Sequence, residues 1–160
     1  MKPYLIAAGQ QAPDFELNDI HGNLVRLSSF RKSKPVLLAF LRGFMWPHCR
    51  AQLARLRDHY AEFTSRRAEI LAIGPDSLES FEKYWKKEKL PFVGLPDPDH
   101  IVAKTYKQEV NLFKLGRMPL NCIVDTSGYI RYVHYSISRS DIPDNETFLS
   151  VIDELNASSK

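Results

Sequence analysis

Val36-Leu37-Leu38-Ala39-Phe40-Leu41 is an unbroken apolar run set between Pro35 and the pair Arg42-Gly43. A strand with one wet face alternates apolar and polar residues, so a run that is apolar throughout predicts a strand covered on both faces. Such strands lie in the middle of a sheet, and the rest of the chain must supply the covers. After Gly43 the period changes. Cys49, Leu53, Leu56, Tyr60 and Phe63 step by four, three, four and three, which is the stripe of a helix, and Pro47 suits its first position.

The remaining elements follow from the same signals. Asp14–Leu17 and Leu24–Leu27 alternate around the turn His21-Gly22-Asn23 and predict a hairpin ahead of the main fold. Ile70–Ile73 is a second buried strand, and Asp76 with Glu79 three residues later has the spacing of a helix N-cap, with the helix running to about Lys89. Phe92–Leu95 reads as extended between Pro91 and Pro96, and Ile101–Tyr106 as helical. Asn121–Asp125 and Tyr129–Tyr135 are strands about the turn Thr126-Ser127-Gly128, and Asn145–Leu155 is a closing helix. Trp85 and Phe81 lie four apart and are expected to pack on the sheet. This order predicts an α/β chain with a mixed central sheet, helices on both faces and an N-terminal hairpin.

With 160 residues, 44% of them hydrophobic, and no linker or repeat, residues 1–160 read as a single domain. Lys and Arg number 22 against 19 Asp and Glu and are spread along the chain, so no nucleic-acid or membrane partner is expected. No run approaches the roughly 18 apolar residues of a membrane helix, and Met1–Gly9 has no convincing leader. Two cysteines far apart in the chain cannot make a disulfide framework, which fits a cytoplasmic protein. His21, His48, His59, His100 and His134 show no ligand spacing, so neither a metal site nor a cofactor is expected.

The segment Arg42-Gly43-Phe44-Met45-Trp46-Pro47-His48-Cys49-Arg50 carries the chemistry. It leaves a buried strand and enters a helix about three residues before Cys49. Unpaired N–H groups and the helix dipole favour a thiolate there, and Arg42 and Arg50 add positive charge. Those features predict a thiol pKa below the ordinary value. By spacing alone Cys49 reads equally as a nucleophile and as a small core residue; Pro47 and the arginines favour the nucleophile. His48 adjoins Cys49, but helix neighbours point in different directions, and a surface role is expected for it.

Gly9-Gln10-Gln11-Ala12-Pro13-Asp14-Phe15-Glu16-Leu17, Ala68–Ser77, Leu90-Pro91-Phe92 with Asp97-Pro98-Asp99, and Val124–Tyr132 resemble the AhpC/TSA branch of the peroxiredoxins and thioredoxin-like redoxins, in the right order. The resemblance implies a thioredoxin-like fold. In that family a C-x-x-C pair or a T-x-x-C motif carries the reactive cysteine. Trp46-Pro47-His48-Cys49 keeps only the final cysteine, with Trp46 where Cys or Thr is usual and Arg42 where a proline opens the motif. Met118-Pro119 resembles the site of the cis-proline facing the active cysteine, and Arg117 is the candidate for the family's arginine.

These residues imply a thiol-dependent peroxidase acting on hydrogen or organic peroxides through Cys49, with Arg42 and Arg117 catalytic and Trp46, Pro47, His48 and Pro119 as neighbours. The alternatives are a one-cysteine thiol–disulfide oxidoreductase and a redoxin-like scaffold without catalysis. Cys122 sits among apolar neighbours on a strand that cannot shift without breaking sheet hydrogen bonds. An external thiol is therefore the expected reductant, and a homodimer is a further candidate assembly.

Overall fold

The computed structural model describes residues 5–108, 110–111 and 116–158. The first four residues of the opening stretch, and the last two of the expected domain, lie outside them. The chain opens with the predicted hairpin, β1 (Glu16–Asn18) against β2 (Leu24–Arg26). Asp19 closes it, its Oδ1 accepting the N–H groups of His21 and Asn23, while Gly22 takes a φ of +82° that an L side chain resists.

A five-stranded mixed sheet forms the body of the fold. Its centre is β3 (Val36–Phe40), every residue buried, parallel to β4 (Glu69–Gly74) and antiparallel to β8 (Leu120–Val124). On the far side of β4 lies β5 (Val93–Pro96), parallel; on the far side of β8 lies β9 (Ile130–Tyr135), antiparallel. Pro96 is tolerated because β5 is an edge strand. The sequence pattern missed the short pairing of β6 (Val110–Asn111) with β7 (Gly116–Arg117).

Alternation along β3 divides two cores. Leu37 and Leu41 face α1 (Pro47–Asp58), α2 (Tyr60–Ser65), α3 (Leu78–Glu88) and α5 (Asn145–Ser158), packing with Cys49, Leu53, Phe63, Phe81 and Phe148. Val36, Leu38 and Phe40 face the hairpin segment and α4 (Ile101–Thr105), packing with Phe15, Val102, Tyr106 and Cys122. The single helix expected over Cys49–Phe63 is broken at His59, whose φ of −119° leaves the helical range. The apolar stripe continues across that break, so spacing could not reveal it. The N-cap of α3 is Ser77, one residue later than expected: its side chain accepts from Ser80 N–H, and Asp76 is released for another role. Among the described residues no helix is long and apolar enough to cross a membrane.

Trp85 and Phe81 pack on the sheet as expected, their rings stacked at 5.1 Å, and Trp85 Nε1 donates to the Phe92 carbonyl at 2.8 Å. The indole lies over Gly94 so closely that a Cβ there would stand 2.7 Å from Trp85 Cε2 and Cζ2. Gly94→Ala is expected to cost about 1–3 kcal/mol by overpacking, read as a lower urea midpoint at unchanged slope. An unchanged midpoint would show that Trp85 can tilt away freely.

Candidate active site

Three consecutive backbone amides leave the carboxyl end of β3 and turn toward α1. Arg42 N–H donates to Cys49 Sγ at 3.3 Å, and the neighbouring Gly43 N–H also favours charge on the sulfur. Phe44 N–H donates instead to Asp76 Oδ2 at 3.2 Å. Gly43 makes the turn with a φ of +142°, and a Cβ on it would meet Asp76 Oδ2 at 3.3 Å. Phe44 then anchors the turn on α3, stacked on Tyr84 at 4.4 Å and edge-on to Phe81 at 4.7 Å.

Cys49 is the third residue of α1, with Trp46 as N-cap and Pro47 in the first turn, as the sequence predicted. One turn on, Gln52 Nε2 donates to Asn121 Oδ1 at 2.7 Å and pins the helix to β8. Pro47 and His48 are exposed, and Trp46 is half-buried. Trp46 presents its ring to the Arg42 guanidinium, 3.6 Å from the ring centroid, in a cation–π contact.

Arg42 and Arg117 are both buried and are joined, Arg42 Nε donating to the Arg117 carbonyl at 2.7 Å. Arg117 is thus no solvated loop residue. One of its terminal nitrogens donates to Gln108 Oε1 at 3.3 Å, and its charge faces Asp97 and Asp76. Gln108 Nε2 donates to the carbonyls of Leu41 and Met118 at 3.2 and 2.9 Å, tying the end of β3 to the segment before β8. Neither Gln108 nor Asp76 was picked out for the site by sequence. The only signal lay in Asp76-Ser77, two successive residues able to cap one helix, of which one is spare.

Two expectations are corrected. The Met118–Pro119 bond is not cis, there being no cis peptide among the described residues; Pro119 is buried beside the site with the trans bond that most X–Pro pairs take. The Cys49 thiol is pushed up, not down. Burial is the largest cause, and the nearby Asp76 charge adds to it; the Arg42 and Gly43 N–H groups and the Arg42 guanidinium pull the other way without overcoming it. Helix position and flanking arginines were visible in sequence, whereas the complete burial of Cys49 was not.

Iodoacetamide labelling of Cys49 is accordingly expected to be slow at neutral pH and to rise with a midpoint above the ordinary thiol value of about 8.5. A midpoint below that value would mean that the amide donors and Arg42 outweigh burial. Cys122, completely buried, is raised by the same desolvation. Because both thiols ionise more readily unfolded, stability is expected to fall as pH rises from the unfolded thiol value toward the folded ones.

Cys122 lies in register with Leu38 of β3 and packs in the core on that face, while Cys49 packs with Leu37 and Leu41 on the other. The sheet stands between the two thiols. Both are free.

A lone cysteine at a helix start, set at the carboxyl end of the central strand of a mixed sheet with helices on both faces, defines a redoxin of the thioredoxin fold. The chain belongs to the AhpC/TSA family, whose model matches residues 8–133. It is 34% identical over 131 residues to the chloroplastic peroxiredoxin Q of Oryza sativa subsp. japonica, covering 81% of this chain and 59% of that protein. It is 38% identical over 101 residues to peroxiredoxin Bcp of Bacillus subtilis, covering 63% of this chain and 64% of the relative. The crystal structure of peroxidoxin BcpB from Mycobacterium tuberculosis superposes with a TM-score of 0.82 at 25% identity, over 94% of this chain and 98% of that one.

Proposed function

We propose that this chain is a thiol peroxidase in which Cys49 reduces hydrogen or organic peroxides and an external thiol restores it. The observation that carries the reading is the hydrogen bond from the Arg42 amide to Cys49 Sγ at the start of α1, where the Gly43 amide and the Arg42 charge also favour the thiolate. These are the groups that negative charge on the sulfur and on a departing oxygen requires. The family membership and the peroxiredoxin names of the relatives support it.

In the first step the Cys49 thiolate attacks the terminal peroxide oxygen. The O–O bond breaks, the sulfur becomes a sulfenic acid, and the leaving oxygen takes a proton to give water or an alcohol. An external thiol then forms a mixed disulfide with Cys49, releasing water, and a second external thiol frees Cys49 and leaves as a disulfide. Placement of Cys122 across the sheet favours this external route over internal resolution. Arg42 is the principal stabiliser of charge; Arg117 positions Arg42 through its carbonyl. Trp46 holds the Arg42 guanidinium in place, and Pro47 starts the helix.

Two free buried thiols fit a reducing compartment, and a cytoplasmic setting belongs to the proposal. So does a homodimer. Peroxide consumption measured with a small dithiol as reductant tests the reading. Catalytic loss of peroxide supports it. Exchange with disulfides without peroxide consumption would instead establish the thiol–disulfide oxidoreductase, and an inert Cys49 would establish the scaffold.

A further inference from the structure

Asp76 has no part in capping α3, since Ser77 does that, yet it is not a surface residue left over. Its carboxylate is half-buried against the Arg42–Phe44 turn. The amides of that turn serve two acceptors: Arg42 N–H donates to the sulfur, Phe44 N–H donates to Asp76, and Gly43 joins the two. Holding the third amide anchors one end of the turn and so restrains the Gly43 torsions through which the first two amides could swing. The tight fit of Gly43 against Asp76 Oδ2 limits how far the turn can move.

We infer that Asp76 is the positioning residue of Cys49: its carboxylate clamps the turn whose Arg42 amide reaches the sulfur, and its charge opposes a second negative charge there. The inference rests on Cys49 being the reactive thiol. It makes the same side chain a brake on thiolate formation at rest and a guide for the donors that receive the charge.

Among the described residues, four charged or titratable groups act on the pair. Cys49 faces Arg42 at the end of β3, Asp76 between β4 and α3, and the Tyr84 phenol of α3; Arg42 in turn faces Arg139. Asp76 faces Arg117 of β7, which lowers the cost of its charge without cancelling its burial.

The test is the pH profile of Cys49 alkylation in Asp76→Asn, which keeps a side-chain carbonyl for Phe44 N–H and removes the charge. The midpoint is expected to move down, and labelling at neutral pH to quicken about three- to tenfold. An unchanged or higher midpoint would overturn the inference. Ser77→Ala, which removes the hydrogen bond to Ser80 N–H, is expected to lower the melting temperature and leave the midpoint in place. A shift matching that of Asp76→Asn would reduce Asp76 to a part of the helix start and also overturn it.

Should Asp76→Asn not fold, the wild-type chain answers the question by reciprocity. The Asp76 carboxyl carbon signal in NMR is expected to shift as pH rises through the Cys49 midpoint, and not to do so in Cys49→Ser. Absence of that shift contradicts the coupling. Alkylation needs no peroxide, so failure of the peroxidase reading and failure of this inference give different results.

Discussion

Cys49→Ser is expected to lower peroxide turnover about a thousandfold or more, to the rate of the reductant acting alone, while Cys122→Ala keeps wild-type turnover. A hydroxyl in place of the sulfur can still accept from the Arg42 amide, so the fold around the turn should hold. What it lacks is a nucleophile of usable strength near neutral pH. Cys122→Ala removes one buried sulfur on the opposite face of the sheet, at a cost in stability of about 1–2 kcal/mol and none in mechanism. Steady-state peroxide consumption by the two variants, with their folding checked by circular dichroism, measures the contrast. Equal losses in both would mean that the two cysteines act together across the sheet.

Arg42→Met is expected to lower the second-order rate of peroxide reaction about 100- to 1,000-fold while leaving the chain folded. Methionine can lie on the Trp46 ring as the guanidinium does, but it supplies neither charge beside Cys49 nor a donor to the Arg117 carbonyl. Arg42→Lys separates those two losses. It keeps a charge and loses the planar fork, so an intermediate rate is expected. Stopped-flow measurement of the first peroxide step checks this directly. A rate within about threefold of wild type in Arg42→Met would show that the backbone amides alone stabilise the sulfur and the departing oxygen.

How far the sequence could be read depended on whether a feature was local. The central strand was legible because Val36–Leu41 is apolar on both faces, and the helix after it because its stripe begins at Cys49 behind Pro47. The hairpin was legible from the alternation on either side of His21-Gly22-Asn23, because a turn involves only near neighbours. The break at His59 was not, because Leu56, Tyr60 and Phe63 keep the helical spacing through it.

At the site the same division holds. Cys49, Arg42 and Trp46 could be placed together because they lie on one strand-to-helix turn. The contacts of Arg117 and Gln108 run through main-chain carbonyls of distant segments, and no residue type announces a carbonyl that will be used. The direction of the Cys49 shift depends on how much of the sheet and of α3 closes over the sulfur. A helix dipole can be read from sequence; that burial cannot.

In the proposed mechanism Cys49 takes the oxygen from peroxide and is not resolved by Cys122. Peptide mass mapping settles it, after a stoichiometric peroxide pulse with a sulfenic-acid trap under non-reducing conditions. The trap adduct is expected on the Cys49 peptide, with Cys122 still a free thiol. A Cys49–Cys122 disulfide as the main product, or an unmodified Cys49, would contradict it.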